Sequence, residues 1–203
     1  MKLLLVADEE DRSLWDHYTP DRLGGADLIL SAGDLNPLYL SFLVTMANRP
    51  LLYVHGNHDG VYDTVPPEGC ECADDRLVTV NGLRVLGLGG CMRYNDGPHQ
   101  YTEAQMRRRI QRLQWALLRA GGADIVLTHA PLRGCGDGAD LPHRGFSAFL
   151  PLLDRWQPRY LIHGHMHTRY DPLSIRVRQY GGTTIINACG RFLLDTDAPP
   201  TAG

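Results

Sequence analysis

A carboxylate, amide or imidazole side chain follows each of five short apolar runs in this sequence. These side chains belong to Asp8, Asp34, Asn57, His58, Asp59, His129, His165 and His167. Hard oxygen donors and imidazole nitrogens, in a set without cysteine, suit two divalent ions of the Mn, Fe(II) or Zn kind and do not suit a structural zinc site. The residue types therefore indicate a candidate catalytic metal centre.

The five apolar runs have the length and composition of buried strands. They cover residues 3–7, 27–31, 51–55, 124–128 and 160–163. Near-continuous apolar runs that alternate with helices are typical of strands buried on both faces of an α/β sheet. The carboxyl ends of parallel strands share one edge of such a sheet, where ligands bind. A single histidine after a strand is weak evidence, but five coinciding strand ends predict one site.

Three helices are predicted between these strands, at residues 37–46, at about 102–119 and at about 146–156. Two glycine-containing dipeptides predict hairpin turns, which add antiparallel strands to the sheets. Asn81-Gly82 separates residues 76–80 from 83–88, and Gly181-Gly182 separates 174–180 from 183–187, with a further candidate strand at 191–194. We therefore expect mixed sheets, and two packed sheets in preference to one open sheet.

The length and composition are those of an ordinary globular protein. The 203 residues are 43% hydrophobic, and the net charge is −3. This predicts one domain over residues 1–194, followed by a flexible tail at 195–203. The small net charge gives no field that would attract extended nucleic acid or anionic lipid.

Targeting and membrane segments are not predicted. The opening apolar run is too short for a signal peptide, and no stretch reaches the 18 or so apolar residues of a membrane span. The five cysteines fit no disulfide framework. We therefore expect a reduced, cytoplasmic protein with no membrane partner. The oligomeric state is left open.

The ordered blocks around these residues resemble the calcineurin-like metallophosphoesterases, over residues 8–167. The blocks are Asp8, Gly33-Asp34, Gly56-Asn57-His58-Asp59, Thr128-His129 and Gly164-His165-Met166-His167. The resemblance implies a four-layer α/β/β/α sandwich of two mixed sheets flanked by helices, with a dinuclear metal centre. Two divalent ions are implied, of Mn, Fe or Zn, with Mn preferred.

The resemblance also implies a role for each residue. By position, Asp34 bridges both ions, Asp8 and His167 hold the first, and Asn57, His129 and His165 hold the second. His58 would contact the scissile phosphate or protonate the leaving group, with Asp59 able to orient it. The implied reaction is hydrolysis of a phosphodiester, or a phosphomonoester, by a hydroxide between the ions. The alternative is a non-catalytic or weakly active protein-interaction scaffold on the same fold.

The first block departs from the family's usual Asp-x-His, because Glu10 stands at the place of the histidine. We favour Glu10 as an oxygen ligand, which hardens the first metal site and favours Mn or Fe. Two alternatives stay open. In the first, Glu10 faces solvent and water completes the site. In the second, the site is partly degenerate and the protein is a scaffold. Glu9 and Asp11 are interpreted as solvated loop acids or helix N-terminal residues.

Two long glycine-rich loops, residues 89–101 and 131–145, are predicted at the ligand edge. The candidate substrate contacts in them are Arg93, His99, His143 and Arg144. Because no inserted cap is evident, small phosphodiesters, phosphomonoesters and nucleotides are all admissible substrates. The arginines at 107–109, with Arg112, are predicted to form the solvated face of a helix.

Overall fold

The computed structural model describes residues 1–167 and 176–198 of the chain. Its strands are β1 (Lys2–Ala7), β2 (Leu28–Ser31), β3 (Leu51–Tyr53), β4 (Glu71–Cys72), β5 (Arg76–Val80), β6 (Leu83–Leu88), β7 (Cys91–Met92), β8 (Gln100–Tyr101), β9 (Ile125–Thr128), β10 (Tyr160–His163), β11 (Val177–Tyr180), β12 (Thr183–Asn187) and β13 (Gly190–Asp195). Its helices are α1 (Pro37–Ala47), α2 (Glu103–Ala120) and α3 (Phe149–Trp156), with short 3₁₀ helices at Pro20–Leu23 and Asp59–Asp63. The five predicted apolar runs all contain strands.

The strands of the described chain form two large mixed sheets. The first has the order β13-β1-β2-β3-β4, with β13 antiparallel to β1 and the remaining pairs parallel. The second has the order β11-β12-β10-β9-β6-β5, parallel from β12 to β6 and antiparallel at both outer pairs. The expected pair of mixed sheets is confirmed.

Three apolar clusters define the layers. In β1, Leu3 and Leu5 pack between the two sheets, whereas Leu4 and Val6 pack on the opposite face of the first sheet, which α1 covers. The helices α2 and α3 pack on the outer face of the second sheet. A near-continuous apolar strand is what burial on both faces requires. The predicted four-layer α/β/β/α order is confirmed.

Helix boundaries follow local chemistry. The Asn36 side chain caps α1 by accepting a hydrogen bond from the Leu38 N–H, and Pro37 occupies the first turn. Thr102 and Gln105 form a capping box at the start of α2.

The prediction that α3 begins at residue 146 was wrong by three residues. Phe146 instead pairs with Leu132 in an isolated β-bridge. The carboxylate of Glu103 then accepts hydrogen bonds from the N–H groups of Ser147 and Ala148, at 2.7 and 3.0 Å. The carboxylate therefore satisfies two backbone N–H groups in the turn that leads into the helix.

Both predicted hairpins are present. Asn81 and Gly82 have φ values of 50° and 81° and join β5 to β6 in antiparallel register. Gly181-Gly182 joins β11 to β12. Of the predicted strand at 174–180, residues 174 and 175 lie outside the described chain. The predicted tail begins at Asp195, which is the last residue of β13, and its residues 199–203 also lie outside the described chain.

The arginine run on α2 differs from its prediction at one position. Arg107, Arg108 and Arg112 are exposed, as predicted, but Arg109 is only 6% exposed. Its guanidinium donates to the Asp75 carboxylate at 2.7 Å and to a backbone carbonyl at 2.6 Å. The prediction of a solvated face was wrong for Arg109, because the buried charge has specific partners. None of the helices in the described chain is long and apolar enough to cross a membrane.

Candidate metal centre

The predicted strand ends meet where the two sheets share an edge. The first sheet delivers Asp34 after β2 and Asn57 shortly after β3, and the second delivers His129 after β9 and His165 after β10. A hydrogen bond from His129 Nδ1 to the Ala32 carbonyl, at 2.7 Å, crosses from one sheet to the other. The edge is therefore built jointly by both sheets.

Four ligand atoms converge at this edge. His129 Nε2 lies 3.0 Å from His165 Nδ1, 3.1 Å from Asn57 Oδ1 and 3.3 Å from Asp34 Oδ2. We call Asp34, Asn57, His129 and His165 the Asp34 cluster. These are the four residues that the resemblance assigns to the second ion and to the bridge between the ions.

Backbone carbonyls determine which ring nitrogens carry protons. His129 Nδ1 donates to the Ala32 carbonyl, and His165 Nε2 donates to the Pro142 carbonyl, each at 2.7 Å. In the neutral rings, His129 Nε2 and His165 Nδ1 are then acceptors that face each other. Asn57 Oδ1 also faces them, because its Nδ2 donates to the Tyr94 hydroxyl at 3.2 Å. Lone pairs that converge in this way repel one another unless a cation lies between them. These atoms are therefore suitable ligands for a divalent ion.

The pKa shifts of His129 and Asp34 share one cause, the attraction between the imidazole and the carboxylate. Burial alone lowers the pKa of His129, but the charge and hydrogen bond of Asp34 raise it to about 9. Burial and the nearby His129 lower the pKa of His165 to about 3. Burial raises the pKa of Asp34, but His129 and the His58 N–H outweigh it and bring it to about 2. Protons and metal ions therefore compete for the same position.

Three candidate ligands adopt a left-handed backbone conformation. The φ values of Asp8, Asp34 and His165 are 62°, 58° and 68°. Such a conformation costs a non-glycine residue about 1–2 kcal/mol. Hydrogen bonds offset the cost: both Asp8 carboxylate oxygens accept from the His165 N–H at 2.9 Å, and Asp34 Oδ1 accepts from the His58 N–H at 2.8 Å. Strain of this kind is typical of functional sites.

Two glycines allow the ends of β2 and β3 to approach closely. A Cβ on Gly33, whose φ is +93°, would lie 2.4 Å from the Gly56 nitrogen. A Cβ on Gly56 would lie 2.0 Å from Asp34 Oδ1. A side chain at Gly56 would displace Asp34, and one at Gly33 would push the two strand ends apart, so this backbone contact positions the Asp34 cluster.

The predicted catalytic pair, His58 and Asp59, is placed as follows. His58 is exposed at the rim, whereas Asp59 is only 2% exposed. Asp59 Oδ2 accepts from the N–H groups of Asp34 and Gly56, each at 2.7 Å. Among the described contacts, none joins the Asp59 carboxylate to the His58 ring. Asp59 thus holds the backbone that carries Asp34.

The residues predicted for the first ion are only partly brought together. Asp8 is half-buried beside the Asp34 cluster, and desolvation raises its pKa to about 6. His167 Nδ1 lies 3.6 Å from a carboxylate oxygen of Glu9. Glu10 is exposed, and the structure does not bring it to His167. The left-handed Asp8 and a 2.6 Å hydrogen bond from the Glu9 N–H to the Ala7 carbonyl turn the chain, so Glu9 takes the inward direction.

Of the four substrate candidates, His143 lies beside the Asp34 cluster, with its ring centre 5.4 Å from that of His165. His99 stacks on His55, with the ring centres 4.3 Å apart. Arg93 is exposed, and its guanidinium reaches a backbone carbonyl at 3.5 Å. Arg144 also reaches a backbone carbonyl at 3.5 Å. The structure therefore does not gather the four around one position.

The sequence reasoning did not assign two supporting roles. The Tyr94 hydroxyl orients Asn57, and the carbonyls of Ala32 and Pro142 orient the two histidines. No residue pattern identifies a carbonyl as a hydrogen-bond acceptor for a distant ring. Tyr94 lies in the predicted substrate loop, which was its only signal.

A family model for the calcineurin-like phosphoesterase superfamily domain matches residues 1–201. The chain belongs to this superfamily. It is therefore a metal-dependent phosphoesterase in the general sense of the family, a hydrolase that acts on phosphoester bonds.

Solved structures with low sequence identity resemble this phosphoesterase. The protein TT1561 of Thermus thermophilus is 16% identical, with a TM-score of 0.66 over 93% of this chain and 89% of that chain. This likeness shows the shared fold. A structure described as a novel archaeal phosphodiesterase is 14% identical, with a TM-score of 0.47 over 97% of this chain and 94% of that chain. No curated protein matches the chain.

Proposed function

We propose that this phosphoesterase hydrolyses phosphodiesters, in preference to phosphomonoesters, at a dinuclear centre that works with Mn²⁺. The observation that supports this proposal most directly is the meeting of three acceptors, because His165 Nδ1 and Asn57 Oδ1 both lie within 3.1 Å of His129 Nε2. Together with the Asp34 carboxylate, they form an oxygen and nitrogen donor set of the kind that binds catalytic divalent ions.

The proposed division of work follows from this arrangement. When bound, the two ions would polarise the phosphoryl oxygens and supply an activated water. The Asp34 cluster holds the second ion, and Asp8 and His167 contribute to the first. His58 is exposed at the rim and anchored by its N–H to Asp34, where an imidazole can protonate the departing oxygen.

The test is turnover of bis-p-nitrophenyl phosphate by metal-stripped protein supplied in turn with Mn²⁺, Fe²⁺ and Zn²⁺. We expect turnover with Mn²⁺, a slower rate with p-nitrophenyl phosphate, and a loss of about 100-fold or more in His58→Ala, the scale of general acid catalysis. The matched control is His17→Ala, because His17 is an exposed histidine outside the site. A folded protein without turnover with any ion would contradict the proposal and favour the scaffold alternative.

The proposed substrate is a small phosphodiester or nucleotide-type molecule, and the proposed location is the cytoplasm. His143, beside the Asp34 cluster, is 44% exposed, so the rim is accessible to a small substrate. Within the described chain, the cysteines form no disulfide; they are Cys70, Cys72, Cys91, Cys135 and Cys189. Reduced thiols are typical of proteins from a reducing compartment, which supports the proposed location.

A further inference from the structure

Glu9, His167 and Cys189 form a second group of metal-ligating side chains, which we call the Glu9 group. One ligand atom from each residue lies within 4.8 Å of the other two. The resemblance assigns His167 to the first ion, but it assigns neither Glu9 nor Cys189. We propose that the Glu9 group binds a zinc-like divalent ion through a carboxylate oxygen, an imidazole nitrogen and a thiolate sulfur.

Contacts between three chain segments hold this group together. Ala7, at the end of β1, forms an isolated β-bridge with Cys189, which brings the Glu9 segment beside the cysteine. The side chain of Asn187 joins the other two segments. Its Nδ2 donates to the Met166 carbonyl at 2.7 Å, and its Oδ1 accepts from the Cys189 N–H at 3.0 Å. The residue before His167 is therefore fixed relative to Cys189.

The separation between Glu9 and His167 suits a tetrahedral ion. Zn–N and Zn–O bonds of about 2.0 Å and a Zn–S bond of about 2.3 Å place tetrahedral ligand atoms about 3.3–3.7 Å apart. The carboxylate oxygen of Glu9 lies 3.6 Å from His167 Nδ1. Three protein ligands leave the fourth position for water or substrate, as in catalytic zinc sites.

Arg176 donates from its guanidinium to the Cys189 carbonyl at 2.8 Å and thereby fixes the backbone that carries the thiol. A metal ion deprotonates a thiol that coordinates it. A thiolate and a carboxylate then neutralise the charge of one divalent ion.

The two groups consequently differ in the ions that they prefer. The Asp34 cluster offers only oxygen and nitrogen donors, which suit Mn²⁺, whereas a thiolate selects Zn²⁺ or Co²⁺ over Mn²⁺. This inference rests on the proposed dinuclear centre for the role of His167. Its test reads metal binding, so it can fail independently of catalysis.

The experiment is a titration of reduced, metal-stripped protein with Co²⁺, followed by absorption. A thiolate ligand gives a sulfur-to-cobalt charge-transfer band in the near ultraviolet. We expect the band in the wild type and its loss in Cys189→Ser. Glu9→Gln should weaken binding of the ion that gives the band by more than about 10-fold. Mutation of a residue that only hydrogen-bonds to a metal ligand already lowers metal affinity by about that factor. The comparison variant, Glu10→Gln, tests the competing assignment of Glu10 as the ligand, and we expect it to titrate as the wild type does.

Three results would overturn the proposal. The first is a wild type that binds Co²⁺ without the band. The second is a band that persists in Cys189→Ser and is lost in Cys72→Ser, because Cys72 lies in another candidate group with His55 and Asp74. The third is equal titration of the Glu9 and Glu10 variants, which decides the matter even where Cys189→Ser does not fold. A band without phosphodiester turnover would count against the proposed function alone.

Discussion

At the scale of the residue, the site depends on groups that hold ligands as well as on ligands. Asp59 illustrates this, because its position in the Gly-Asn-His-Asp block suggested a catalytic partner for His58. In the structure, its buried carboxylate instead accepts from two backbone N–H groups, those of Asp34 and Gly56. A buried charge that satisfies two donors is a positioning residue, and its removal leaves both donors unpaired.

We predict that Asp59→Ala destabilises the protein by about 2–4 kcal/mol, because two buried N–H groups lose a charged acceptor. Asp59→Asn, which keeps one acceptor oxygen, should lose less than half of that. The free energy of unfolding from urea titration measures both effects, and Asp96→Ala, at an exposed position, serves as the control. If Asp59 instead acted mainly by orienting His58, Asp59→Ala would keep wild-type stability and lose turnover.

The limit of sequence reasoning is clearest at Glu9 and Glu10. Glu10 is favoured as a ligand because it stands at the place of the family's histidine, and an extended chain would point Asp8 and Glu10 in one direction and Glu9 in the other. The left-handed conformation of Asp8 breaks that alternation, and no composition or spacing announces it. Residue types could therefore name the cation site, whereas the direction of each carboxylate depends on one backbone angle.

At the scale of the element, the predictable features are those with a strong local pattern. Apolar runs, the capping box of α2 and the Asn81-Gly82 turn each have a local physical cause, and all are present. The two-residue strands β4, β7 and β8 are too short to show a period, and the start of α3 is set by the distant Glu103 carboxylate. These features depend on tertiary contacts, so the local sequence pattern could not predict them.

The closest contact between elements gives a prediction for Gly56. In Gly56→Ala, the new Cβ would lie 2.0 Å from Asp34 Oδ1, so Asp34 must leave the cluster. We expect Mn²⁺ affinity to fall by more than about 10-fold, measured by calorimetric titration, because ligand geometry tolerates little displacement. Gly182→Ala is the matched control, since a Cβ there meets nothing within 4 Å. Unchanged affinity in Gly56→Ala would show that Asp34 is not a ligand.

At the scale of the whole molecule, the Asp34 cluster joins the two sheets. Asp34 and Asn57 come from the first sheet, and His129 and His165 come from the second. The layer between the sheets is apolar and offers no metal ligands. An ion can therefore stabilise the contact between the sheets only at the polar edge. An ion held by both sheets is lost when they separate on unfolding, and its binding free energy then contributes to the stability of the folded state.

We therefore predict that Mn²⁺ at about 100 times its dissociation constant stabilises the protein by about 2.7 kcal/mol, which raises the Tm by roughly 5–10 °C for a chain of this length. Thermal unfolding of metal-stripped protein, with and without Mn²⁺, measures the shift. His129→Ala removes a ligand from the second sheet and should abolish most of it, whereas His17→Ala should keep it. A full shift in His129→Ala would mean that the ion binds elsewhere, and the absence of any shift in the wild type would mean that the Asp34 cluster does not join the sheets through an ion.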